Sequence, residues 1–160
     1  VIEMPFNYSA DVGTRYDSPL ADTLYGRTIA VYNNLHSTQH VYPTLANGVT
    51  LTTGTLAWAL GAKTEIVPTG AIATPFDIHF MNVGFVNNQT TFEVQLFSGE
   101  IGHEVLISMG RTTRTDPFGS APQIPICAPI MLANTRISAA IAEAQIGSGT
   151  MVASIYYNPY

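Results

Sequence analysis

"PICAPIMLANTRISAAIAEAQIGSG", residues 125–149, is the stretch on which the fold turns. From Met131 to Gln145 it has a helical aspect, alanine-rich, with Leu132, Arg136, Ala140 and Ala144 spaced four apart. Over the same residues Ile137, Ala139 and Ile141 alternate with Ser138, Ala140 and Ala142, which is the period of a strand with one buried face. The flanks decide between the two. Pro122, Pro125 and Pro129 force an extended chain on the way in, and IGSG at 146–149 breaks it on the way out. A β-branched and aromatic run, GTMVASIYY (149–157), follows at once. The reading is therefore extended: a turn at Ala133–Asn134, then a strand over TRISAAIAEAQI (135–146) with Ile137, Ala139 and Ile141 in the core. That strand is expected to pair as a hairpin across the GSG turn with residues 150–157.

The remaining sequence fits the same class. Thr, Val, Ile, Phe and Tyr are abundant and Gly or Pro recurs every 8 to 15 residues, the composition of many short strands. Strands are expected at 27–34, at 40–45 with Pro43 marking an edge or bulge, and at 49–61 after the Asn47–Gly48 turn. Others are expected at 64–69, 76–85, 90–99, 102–110 and 124–132, the last extended because of its prolines. In 76–85, Phe76, Ile78 and Phe80 should face the core, opposed to Asp77, His79 and Met81. The fold class is all-β: a single β-sandwich of jelly-roll type with about eight to ten strands. Residues 1–26 alternate poorly and read as an extended N-terminal arm, and residues 27–160 as the sandwich.

Charge is scarce. Only 11% of the 160 residues are charged, with one lysine (Lys63) and five arginines, while 46% are hydrophobic. Ordinary soluble domains carry about 25% charged residues, so this chain is expected to cover much of its surface with other copies of itself. The net charge of −5 argues against a nucleic-acid partner, which needs a basic footprint. No run reaches the roughly 18 apolar residues of a membrane span, and VIEMPFNYSA lacks the basic start and apolar core of a secretion signal. No membrane partner or signal is expected. One cysteine, Cys127, leaves no intrachain disulfide to form.

The order of elements resembles a group of small jelly-roll structural proteins of tailed-bacteriophage virions. The residues that carry the resemblance are AWALGA around Trp58, PFDIHF (75–80), GHEVLI (102–107) and PIMLANTRISA with Pro129, Ala133, Arg136 and Ile137, spread over about residues 55–157. The resemblance implies a decoration, collar or fibre-associated protein on the outer surface of a virion, synthesised in the host cytoplasm and bound to major capsid or other virion proteins. It implies no catalytic residues.

The residues that could bear chemistry point the same way. His36 and His40 are four apart but have no acidic neighbour to complete a metal set. Asp77 and His79 share a strand face, and a four-residue site would need His103 and Glu104 beside them. Cys127, in an apolar run, reads as a small buried core residue. Ser108, Ser138 and Cys127 lack a nucleophile-elbow context, and the glycines of FSGEIGHE form no phosphate loop. Arg136 is expected to pair with a carboxylate such as Glu104. No enzyme, cofactor or metal site is expected.

What remains is assembly. Ile2, Met4, Phe6, Tyr8, Tyr16, Leu20, Leu24 and Tyr25 make the arm too apolar for a solvated tail, so they are the expected interface of a symmetric homo-oligomer, a trimer in the first instance. The expectation is a capsid decoration or cement protein. Two other functions fit: a carbohydrate-binding module of a phage fibre or collar, using Trp58, Tyr16, Tyr25, Tyr32, Tyr42, Tyr156, Tyr157 and Tyr160 as stacking platforms, or an extracellular filament joined by donation of the N-terminal strand.

Overall fold

Short β-branched and aromatic runs separated by Gly, Pro and Asn can bury their apolar faces only by stacking sheets, and that is what this chain does. The computed structural model describes residues 39–114 and 123–160; the expected arm (1–26) and the expected strand at 27–34 lie outside these. Nine strands are present among the described residues: β1 (His40–Tyr42), β2 (Val49–Thr52), β3 (Thr64–Val67), β4 (Phe76–Val86), β5 (Thr91–Ser98), β6 (Val105–Thr113), β7 (Gln123–Pro125), β8 (Ile137–Glu143) and β9 (Thr150–Pro159). They form two antiparallel sheets. In the five-stranded sheet β1 and β2 both pair with β9, which pairs with β4, which pairs with β7; the four-stranded sheet runs β3-β8-β5-β6.

The pairing is nested. β2 pairs with β9, β3 with β8, β4 with β7 and β5 with β6, as if one long hairpin had been rolled into a sandwich. That wrapping is the jelly roll. The core between the sheets holds Phe76, Met81, Val83, Phe92, Val94, Leu96, Ile137, Ile141, Met151 and Ile155, each at most 1% exposed.

The extended reading holds over Ile137–Glu143, and Ile137, Ala139 and Ile141 are all core residues; the expected 135–146 is shortened at both ends, because the chain bends at 144–147. The expected hairpin with 150–157 does not form. β8 pairs with β3 and β5 in one sheet, while β9 lies in the other. A two-residue period assigns a side chain to a face but names no partner strand. The chain leaves the first sheet at Ala144, whose N–H still bonds Thr91 O, and joins the second by Gly149, whose carbonyl accepts the Thr53 N–H. Glu143 sits at this crossing with no solvent exposure. Its carboxylate accepts hydrogen bonds from Thr53 Oγ1 (2.9 Å), Asn88 Nδ2 (2.9 Å) and the Gly149 N–H (2.6 Å). A Cβ on residue 149 would lie 2.6 Å from Glu143 Oε2, so only glycine allows that approach.

Other expectations are corrected by local geometry. The strand at 49–61 stops at Thr52, because residues 53–61 turn back on themselves: the Gly54 N–H bonds Ala59 O, and the Trp58 and Gly61 N–H groups bond the Glu143 and Ile141 carbonyls. In β4 the register slips between Ile78 and Phe80. That bulge shifts the alternation by one, so Met81 faces the core in place of Phe80, which is half-buried. The strand at 124–132 shrinks to β7 plus a bridge from Met131 to Phe76. Ile124 and Ile126 face inward along this run, and the intervening alternation leaves Cys127 exposed, against the expectation of a buried thiol.

Candidate functional site

The outer face of the four-stranded sheet carries the features that a surface for assembly needs. Three rows of side chains cross it from β8 through β5 to β6: Ser138, Phe97 and Leu106; Ala140, Gln95 and Met109; Ala142, Glu93 and Arg111. The β8 members are small and all buried, at 2% exposure or less. The β6 members rise to the surface, with Leu106 46% and Met109 55% exposed.

Charge is confined to the two ends of this face, and there it is paired. At one end Arg111 donates from Nε and Nη2 to Glu93 Oε2 at 3.0 and 2.8 Å, while Gln95 Nε2 donates to Glu93 Oε1 at 3.0 Å. The Gln95 hydrogen bond and then the Arg111 contact hold the Glu93 carboxyl below the usual carboxylate range. Trp58 lies against Arg111, with the guanidinium carbon 4.9 Å from the ring centroid. Trp58 is 45% exposed and has a φ of 60°, a left-handed conformation that costs a non-glycine residue about 1–3 kcal/mol. Its N–H bond to Glu143 O (2.6 Å) holds it there.

At the other end Arg136 donates to Glu65 (Nε–Oε2, 2.5 Å), to Glu104 (Nη1–Oε1, 3.1 Å) and to the Gly99 carbonyl (3.3 Å). The expected pairing of Arg136 with Glu104 is thus present. Burial pushes the Glu104 carboxyl up, but backbone hydrogen bonds, Arg136 and the Lys63 charge outweigh that and hold it below the ordinary value. Lys63 lies 3.4 Å from Glu104 and 4.3 Å above the Phe97 ring. Between these ends Leu106 and Met109 form an apolar centre beside Phe97, which Lys63 covers, and the charges around it are paired.

Among the described residues β6 also pairs with β5 alone and forms the border of its sheet. Edge strands are commonly blunted by lysine or proline; β6, VLISMGRTT, has neither.

The residues singled out in the sequence fall as follows. Ile2, Met4, Phe6, Tyr8, Tyr16, Leu20, Leu24 and Tyr25 lie outside the described residues, as do His36 and Tyr32. His40 stacks on Tyr157, the ring centroids 5.4 Å apart. Asp77 and His79 do share the outer face of the five-stranded sheet, but Glu104 is engaged by Arg136 on the other sheet, so the four-residue metal set is not assembled. Among the described residues no group of three or more His, Cys, Asp or Glu side chains is placed to hold a metal ion. Tyr42, Tyr156 and Tyr157 are half-buried in the five-stranded sheet, away from Trp58. Leu106 and Met109 lie in GHEVLISMG, whose apolar residues fall on both faces, so alternation alone does not mark which side is exposed. No family model matches the chain and no curated protein matches it.

Proposed function

We propose that this chain is a structural subunit of a virion, a capsid decoration or cement protein that assembles as a symmetric homo-oligomer, a trimer in the first instance, on the outer surface of the particle. The observation that carries the assembly part of this reading is the face just described: Leu106 and Met109 exposed beside Phe97, flanked by self-neutralised charge, on β6, the border strand of its sheet among the described residues. Monomeric proteins keep such patches small. The placement on a virion rests on the resemblance of residues 55–157 and on the charge-poor composition, with the apolar arm as the element that reaches a neighbour. The reading includes no catalysis.

Sedimentation at micromolar concentration tests it. An oligomer burying well over ~800 Å² per subunit, the scale of a stable interface, is expected, and Leu106→Lys together with Met109→Lys should dissociate it without unfolding the sandwich. A stable monomer of the unmodified chain would sink the proposal. Electron microscopy of the oligomer alone and on particles then separates a shell-bound ring from a helical fibre.

A second reading has its own support. Trp58, exposed and stacked on Arg111, stands next to the amide and carboxylate of Gln95 and Glu93 through that arginine, the aromatic-plus-polar combination that sugars require. Binding to a glycan array that is lost in Trp58→Ala would favour the carbohydrate-binding module. Strand donation from the N-terminal segment of a neighbouring subunit is the corresponding route to a filament.

A further inference from the structure

The outer face of the five-stranded sheet holds a polar cluster that the assembly reading does not use. Asp77 on β4 lies opposite Asn158 on β9. The bulge between Ile78 and Phe80 leaves His79 without a cross-strand partner and turns its imidazole onto the same face. His79 Nε2 is 3.0 Å from Asp77 Oδ1 and 3.0 Å from Asn158 Nδ2.

The hydrogen bonding of this cluster does not close. Asp77 Oδ1 and Asn158 Oδ1 are both buried; Asp77 Oδ1 is paired with His79 Nε2 only when that nitrogen carries a proton, and Asn158 Oδ1 has no hydrogen-bond partner. A half-turn of the Asn158 amide exchanges its oxygen and nitrogen, which brings the oxygen toward His79 Nε2. With Nε2 unprotonated, a carboxylate oxygen, an amide oxygen and an imidazole lone pair then gather around His79. A proton on Nε2 is one way to join them; a divalent cation, which can bind all three at once, is the other.

The surroundings suit one. The Tyr160 hydroxyl donates to Asp77 Oδ2 at 2.7 Å, and the Tyr160 N–H is fixed to Pro75 O at 2.8 Å. The second carboxylate oxygen is thereby occupied and Oδ1 is kept for the cluster, the outer-shell arrangement that orients metal ligands. The side chains of Asp77 and His79 are 21% and 37% exposed, so an ion can enter and retain water ligands. We propose that Asp77 Oδ1, His79 Nε2 and Asn158 Oδ1 bind a divalent transition-metal cation of the Zn²⁺ or Co²⁺ type. The imidazole favours such ions over Ca²⁺ and Mg²⁺, which take all-oxygen sets. The site stands independently of the assembly reading.

Calorimetric titration of the full chain with Zn²⁺, in a form without an affinity tag, tests the proposal. One site is expected. His79→Ala should weaken it at least tenfold, Tyr160→Phe should weaken it less, and Asn158→Asp should tighten it by adding a charged ligand. Co²⁺ added to the isotopically labelled wild-type chain gives a readout that needs no variant: resonances of residues 76–80 and 156–160 should be shifted or broadened first. Perturbation centred instead on His40 or His103, undiminished affinity in a folded His79→Ala chain, or no Zn²⁺ binding at all would overturn it.

Discussion

The Gly149 N–H donates to Glu143 Oε1 across the six residues in which the chain leaves one sheet and enters the other, at 2.6 Å. The same carboxylate holds Thr53 beside β2 and Asn88 beside β4, so a single buried side chain ties both sheets at one end of the sandwich. Removing it leaves several donors without an acceptor. Glu143→Ala is expected to cost about 3 kcal/mol in denaturant unfolding. Gly149→Ala should also destabilise, because its Cβ displaces the carboxylate. In the Glu143→Ala background that second cost should shrink by about 1 kcal/mol or more, whereas strict additivity would show that the two residues are not coupled.

β8 is closed on both faces, which two substitutions can distinguish from a half-exposed strand. Ile137→Ala should cost about 2 to 4 kcal/mol, the range for a large buried aliphatic side chain. Ala140→Leu, on the opposite face, should cost about 1 to 3 kcal/mol from overpacking. A change within 0.5 kcal/mol for Ala140→Leu, typical of the surface, would mean that this face is open.

Acid should weaken the fold through Glu93 and Glu104. Both carboxyls are held below their ordinary value of 4.5, so as pH falls the unfolded chain takes up their protons before the folded chain does. Their contribution is therefore complete above about 4.5 and is lost progressively below it, as the folded groups titrate. Unfolding measured from pH 7 downward should show a plateau and then a decline. Arg111→Ala should reduce the part of that slope due to Glu93, and an unchanged slope would assign the acid sensitivity elsewhere.

Deleting residues 1–20 tests the arm. The shortened chain is expected to keep the cooperative unfolding of the sandwich and to lose assembly or attachment to its particle. Unchanged assembly would make the arm passive, and failure to fold would make it part of its own domain's core.

Much of the sandwich was legible because alternation is a local signal. Phe92, Val94 and Leu96 face the core as their spacing requires, and Arg136 meets Glu104 because a buried arginine needs a carboxylate. What alternation could not supply was partnership and phase. Ile137 and Ile141 would point inward whether β8 paired with β9 or with β5. His79 at the β4 bulge looks like any alternating residue, yet the extra position there exchanges the roles of Phe80 and Met81. Glu143 continues the pattern of a polar strand end and gave no sign of burial, since its partners are 90 and 55 residues away in sequence. The Leu106–Met109 surface was hidden for the opposite reason: an edge strand with apolar residues on both faces has the same sequence as a central one.

The nested pairing also sets the order in which the molecule can be made. Among the described strands only β5 and β6 pair through a short turn, whereas Thr50 and Val152, partners in register, are about a hundred residues apart. Each outer pair must close a longer loop than the one inside it, at growing entropic cost. β9 lies between β4 and the β1–β2 strands, so the five-stranded sheet has no continuous ladder until residues 150–159 have been synthesised. A nascent chain can therefore form the β5–β6 hairpin but not the sandwich until residues 150–159 have left the ribosome. Its rate belongs with those of other non-local β proteins, in milliseconds to seconds, and through that interval the apolar strands have yet to be covered by the second sheet.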